Sequence, residues 1–218
     1  MRRPIYARIS ASAGFSLLEV LVSMLIAVVG LLGLAGIQAR AQVAELESYQ
    51  RAQALVLLYD MMDRINNSRT TAPCYVVTTN TTSGAPYFGE GATAAAACSL
   101  SNPADQAMAV ASMNGWNDQL QGASETKSGG GVTTRVGAMI GARGCVSYNT
   151  GTEYINATSG ANIGGSGEYT IAVSWQGMAD TFAPTKACGA GLYGTLSAAD
   201  TKRRTVWATM RIGTLAAR

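Results

Sequence analysis

The chain of 218 residues contains no histidine, four cysteines, five prolines and 13% charged residues. Without histidine the commonest general base is missing, and with it every Ser-His or Cys-His nucleophile arrangement. Cys74, Cys98, Cys145 and Cys188 show no C-x-x-C spacing and have no histidine to complete a zinc set, so no metal is expected. Carboxylates are just as sparse, with Glu153, Glu168, Asp180 and Asp200 standing singly among loop and strand residues. Gly129-Gly130-Gly131 lacks the Lys-Ser or Lys-Thr that would follow it in a phosphate-binding loop. These absences point to a protein with no active site, no cofactor and no small-molecule substrate.

Near the start of the chain, Ala13-Gly14-Phe15-Ser16-Leu17-Leu18-Glu19-Val20 opens an apolar run that reaches Ile37. About 23 residues suffice to cross a bilayer. Glu19 lies inside that run, where a charge costs on the order of 2.5 to 3.5 kcal/mol unless it is paired. Cutting the Gly14-Phe15 bond supplies a partner, because it creates a cationic α-amino group on Phe15, one helical turn from Glu19. An ordinary secretory signal is a poor match, since the small residues precede the apolar run instead of following it.

Arg2, Arg3 and Arg8 all precede the cut. With those three set aside from the sixteen basic residues, thirteen remain against thirteen acidic, so the remainder is formally neutral. The positive balance is therefore a topogenic signal and carries no argument for nucleic acid. Lys202, Arg203 and Arg204 form a short basic run read as a solvated strand entrance. The three Asn-x-Ser/Thr sequons at Asn66, Asn80 and Asn156 are expected by chance in a chain rich in threonine and asparagine.

Beyond Ile37 the sequence turns polar, through Gln38, Arg40, Gln42, Glu45, Glu47 and Arg51, without a glycine or proline until Pro73. The absence of a break predicts one continuous helix from Phe15 to about Asn67, roughly 80 Å long. Ala54, Leu58, Met61 and Ile65 mark its buried stripe, widened by Leu55 and Met62. Gly30, Gly33 and Gly36 each lower helix propensity by about 1 kcal/mol relative to alanine. They fit either local unwinding and tight packing, or the ordinary tolerance of glycine in membrane helices.

From Thr70 to Cys98 the chain reads as a long loop. Asn102 is expected to cap a second helix, with Pro103 at its first position, Asp105 in its first turn and Ala109, Met113, Trp116 and Leu120 on its buried face. Trp116 is read as core. Strands are expected at Val132 to Ile140, Gly144 to Tyr148, Tyr169 to Gln176 and Thr205 to Ile212. Helices followed by strands indicate an α+β fold, an antiparallel sheet laid on the C-terminal half of the long helix. The length allows that helix and one globular domain. All four cysteines fall on the side that the positive leader places outside the cytoplasm, where two disulfides are expected in any of three connectivities.

The segment from Gly14 to Val22, followed by Gly30-Leu31-Leu32-Gly33-Leu34-Ala35-Gly36-Ile37-Gln38, resembles the class III signal of type IV prepilins and is most similar to minor pilins of the PilV family. The resemblance covers about residues 13 to 40. It implies a leader at 1–14, cleaved after Gly14 by a prepilin peptidase that also methylates Phe15. A transmembrane and filament-core helix at 15–37, an amphipathic helix at 38–68 and a globular periplasmic domain at 69–218 would follow. Glu19 would align an incoming subunit with the N-terminus of its neighbour. Pilin practice favours the pairs Cys74 with Cys98 and Cys145 with Cys188, each worth about 3 to 4 kcal/mol in the chain-entropy estimate. The implied function is a minor pilin that helps prime pilus assembly and form the tip complex. Its implied partners are other minor pilins, the major pilin, a tip adhesin and the inner-membrane assembly platform. A minor pseudopilin of a type II secretion system is the alternative. The helix-breaking proline of major pilins is missing.

Overall fold

The computed structural model describes residues 14–100, 102–129, 132–137, 139–194 and 200–213. Met1 to Ala13, which carry Arg2, Arg3 and Arg8, lie outside the described residues, and so does the expected turn at Gly130-Gly131. Helix α1 runs over Leu17–Asn67 and α2 over Pro103–Leu120. The strands are β1 Phe88–Gly89, β2 Thr126–Gly129, β3 Val132–Arg135, β4 Arg143–Asn149, β5 Glu168–Gln176 and β6 Arg203–Arg211. The chain divides into two compact units, residues 1–45 and 46–218.

The second unit is a pilin-like α+β fold, in which α1 packs against a four-stranded antiparallel sheet of order β1-β4-β5-β6. Ala54, Leu58, Met61 and Ile65 are all at most 1% exposed, so the stripe read from the sequence is the helix face in the core. Tyr169, Ile171, Val173 and Trp175 of β5 supply the facing layer, with Val146 and Val206 from the strands on either side. Period-two alternation puts these residues on one face of the sheet because successive side chains point to opposite sides.

Helix α2 closes the other side of this core. The Asn102 side chain accepts from the Ala104 N–H at 3.0 Å, and Ala109, Met113, Trp116 and Leu120 are buried. Trp116 meets Phe88 edge to face at 6.2 Å and donates its indole N–H to the Leu57 carbonyl at 3.0 Å, which pins α2 to α1. Gly144 makes room for that ring. A Cβ there would stand 2.2 Å from the Trp116 ring.

Three expectations need correction. The described residues of Val132 to Ile140 form no strand of the main sheet; among them Val132–Arg135 is the strand, and it pairs with Thr126–Gly129 in a separate ribbon. The fourth strand of the sheet is instead Phe88–Gly89, inside the stretch read as loop, and that stretch also holds a 3-10 helix at Arg69–Tyr75. Two residues are too few to carry a strand pattern, and Gly89, at φ +102°, sits so close to the Ala142 carbonyl that a Cβ would fall 2.2 Å from it. Lastly, the Lys202-Arg203-Arg204 run is not solvated throughout: Arg203 is 3% exposed and pairs with Asp200 at 3.0 Å while donating to the Lys186 and Pro184 carbonyls.

Candidate functional site

The N-terminal unit is defined by what it leaves uncovered. Fifteen large apolar side chains from Phe15 to Ile37 are between 46% and 82% exposed, on every side of the helix. An 18-residue window of this helix reaches a mean hydropathy of 2.7 with none of it buried. Leaving fifteen such groups in water would forgo at least about 20 kcal/mol of burial, more than the whole stability of an ordinary domain. This stretch is built to be surrounded by apolar material, and it is long and apolar enough to cross a membrane.

Gly14, Phe15 and Ser16 precede the helix without regular structure, and α1 begins at Leu17, two residues after the expected start. Ser16 organises that start. Its carbonyl accepts the N–H groups of Glu19 at 3.0 Å and Val20 at 3.3 Å, and its hydroxyl accepts the Glu19 N–H at 3.4 Å. Ser16-Leu17-Leu18-Glu19 is thus the Ser-x-x-Glu pattern of a capping box, a signal legible in the sequence and passed over there. Glu19 also lies in the first turn, where the helix dipole favours a negative charge.

In the second unit, three of the carboxylates that stood singly in the sequence, Glu153, Asp180 and Asp200, are engaged in holding loops. Glu153 Oε1 accepts from the Tyr148 hydroxyl at 2.5 Å and from the Gly165 N–H at 3.3 Å. Asp200 accepts from Arg203 and from the Gly191 N–H, and Asp180 from the Thr201 hydroxyl. Among the described residues, no three acidic, cysteine or histidine groups gather where a metal ion would sit. Cys74 is joined to Cys98 and Cys145 to Cys188, with Cα atoms 5.1 Å and 5.7 Å apart. The second of these ties the C-terminal loops to the sheet face turned away from α1, where Cys145, Ala172, Cys188 and Tyr87 form a small cluster of their own. Beside it Arg143 is buried between the rings of Tyr87 and Tyr193, at 5.3 Å and 4.9 Å, a cation held by π faces. Burial pushes the Tyr193 hydroxyl up to about 12, against the opposing pull of Arg143.

Sequence reasoning also missed the pair Glu47 and Arg204. Glu47 Oε1 accepts from the N–H groups of Met178 at 3.1 Å and Ala179 at 3.3 Å and from Arg204 at 3.2 Å. Partial burial pushes this carboxyl up, but the Ala179 N–H, the Arg204 charge and the Met178 N–H outweigh it and hold it below its ordinary value.

Residues 9–35 match the family model described as the prokaryotic N-terminal methylation motif. The chain therefore carries a class III prepilin or pseudopilin signal ahead of a pilin-like α+β fold. No curated protein and no solved structure matches it.

Proposed function

We infer that the chain is a minor pilin of a type IV pilus, of the PilV type, which helps prime assembly and form the tip complex. The observation that carries this reading is the methylation motif at residues 9–35, set on an apolar helix with no covering of its own. A bilayer covers that helix before assembly and neighbouring subunits cover it afterwards. Prepilin peptidase cuts between Gly14 and Phe15 and methylates the new amine. Glu19, one turn on, then pairs with the Phe15 amine of a neighbour, and the ion pair offsets the cost of a carboxylate in an apolar core. The domain beyond the helix faces an oxidising periplasm, which the two disulfides favour, and reaches the cell exterior in the pilus. The Gly30 to Gly36 wording and the paired cysteines favour the pilus over a secretion pseudopilus.

The reading is tested by intact mass and location together. In cells with active prepilin peptidase the protein is expected to lack residues 1–14, to carry one added methyl group and to appear in sheared pili. A processed chain found solely in a secretion pseudopilus would transfer the role to that system, and a chain that keeps its leader would overturn both.

A further inference from the structure

The two edges of the main sheet are finished differently. At β1, Gly89 turns its backbone away from β4, and α2 meets both groups: the Gly89 N–H donates to Asn117 Oδ1 at 2.8 Å, and its carbonyl accepts from Gln121 Nε2 at 3.2 Å. No such cover exists at β6 among the described residues. The Gln176 N–H donates to the Ile140 carbonyl on the β4 side, and the Gly177 N–H to the Lys202 carbonyl on the β6 side. That fixes the alternation. Arg204, Val206, Ala208 and Met210 turn their backbones inward to β5, while Thr205, Trp207 and Thr209 turn theirs outward. No described group bonds those three outward N–H and C=O pairs.

The pairing of β6 with β5 runs one to one over nine residues, without a bulge or a proline. Exposed edges of this kind are templates for another strand, and proteins that do not use them blunt them with such devices. A groove of about 380 Å³ runs beside this edge, lined by Ser48 and Arg51 of α1 and by Trp175, Thr205 and Val206 of the sheet. Trp175 is 3% exposed, and its indole N–H has no acceptor among the described residues. Positive charge is in excess around the edge. Arg51, Lys186, Lys202 and Arg211 have no ion-pair partner among the described residues, whereas of the nearby carboxylates Glu47 is held by Arg204 and Asp200 by Arg203, leaving Asp180, which accepts from the Thr201 hydroxyl, and Glu168, which faces Arg211 across the ladder.

We propose that the outer edge of β6 docks an extended acidic segment of another protein chain, added to the sheet as a fifth strand. Backbone bonds to Thr205, Trp207 and Thr209 supply the attachment, and the surrounding cations select the sign of the incoming side chains. Trp207, 49% exposed with the Lys186 ammonium 4.6 Å from its ring centroid, places a cation and an aromatic edge beside the incoming strand.

The test uses the full chain in detergent micelles and an eight-residue peptide alternating valine with aspartate and threonine. Amide exchange at Thr205, Trp207 and Thr209 is expected to slow at least about tenfold on saturation, and a peptide with lysine in place of aspartate to bind about tenfold more weakly. Thr209→Pro removes one outward N–H while sparing the inward ladder, and is expected to abolish the protection. Arg51→Glu, on an exposed helix position, keeps the fold intact and is expected to narrow or invert the preference between the two peptides. Equal binding of both peptides, an unchanged preference in Arg51→Glu, or binding that survives in a folded Thr209→Pro protein would overturn the proposal. Protection that appears without peptide and grows with protein concentration would overturn it too, because a second copy would then hold the edge.

Discussion

Glu47 and Arg204 stand 157 residues apart in the chain and 3.2 Å apart in space, and their contact joins α1 to the first residues of β6. The same guanidinium also donates to the Ala179 carbonyl at 2.7 Å, and Ala179 returns its N–H to Glu47. Three segments are thus closed into one ring of charge-assisted hydrogen bonds.

Removing the charge from this ring is expected to destabilise the second unit modestly. The Glu47 side chain is 31% exposed, so Glu47→Gln should cost about 1 kcal/mol rather than the value of a buried pair. The folded carboxyl sits below its ordinary value, so its contribution is fully present above the unfolded value and is lost as pH falls through the folded one. Unfolding midpoints measured between pH 7 and pH 3 should converge for the wild type and Glu47→Gln at the acid end. Curves that stay parallel would show that the ring is not linked to this proton.

Neither member of that ring was legible in the sequence, because a cross-chain ion pair has no local pattern. The start and buried face of helix α2 were legible, since its cap residue, its proline and four buried positions at helical spacing all agree. Strand β5 was legible from strict alternation. Phe88–Gly89 was not, since its place depends on Gly89 backing onto Ala142 and on Asn117 and Gln121, which lie about thirty residues on. Arg203 was misread for a related reason: an arginine in a basic run reads as solvated until its carbonyl acceptors at Pro184 and Lys186 are brought to it. At the candidate site the apolar run and Glu19 were plain, whereas the role of Ser16 in starting the helix was overlooked.

Gly144 carries a sharper packing prediction. Gly144→Ala places a methyl group 2.2 Å from the Trp116 ring, and the expected loss is about 1 to 3 kcal/mol, the usual range for overpacking. Trp116→Phe is itself destabilising because it empties space and removes the indole bond that ties α2 to the Leu57 carbonyl of α1. In the double variant the smaller ring makes room for the methyl group, so the two losses should sum to less than their separate values. Strict additivity in chemical denaturation would show that the two sites do not share this space.

The disulfides should differ in reactivity. Cys145 and Cys188 are 4% and 3% exposed, while Cys74 and Cys98 are both half-buried. Under mild reductant followed by alkylation, Cys74 and Cys98 are expected to label first, with Cys145 and Cys188 labelled only on unfolding. Replacing both cysteines of a pair by serine is expected to cost about 3.5 kcal/mol for the shorter loop and about 4 kcal/mol for the longer one by chain entropy. Simultaneous labelling of all four would show that the sheet face over Cys145 opens readily.

Glu19 carries two roles that ordinary truncation would confuse. As the fourth residue of Ser16-Leu17-Leu18-Glu19 it can support the helix start, and as a carboxylate near the Phe15 amine it can pair in assembly. Glutamine serves a capping box nearly as well as glutamate but carries no charge. Glu19→Gln is therefore expected to leave helix content in micelles and membrane residence unchanged, while incorporation into sheared pili falls at least about tenfold, the equivalent of losing about 1.4 kcal/mol of pairing. Ser16→Ala is expected to do the reverse, weakening the first turn by about 1 kcal/mol while sparing incorporation. Both variants must first be shown by intact mass to be cut after Gly14, so that a defect in processing is not mistaken for one in assembly. If Glu19→Gln enters pili as well as the wild type does, the carboxylate is a helix cap alone, and alignment of subunits in the filament must rest on other groups.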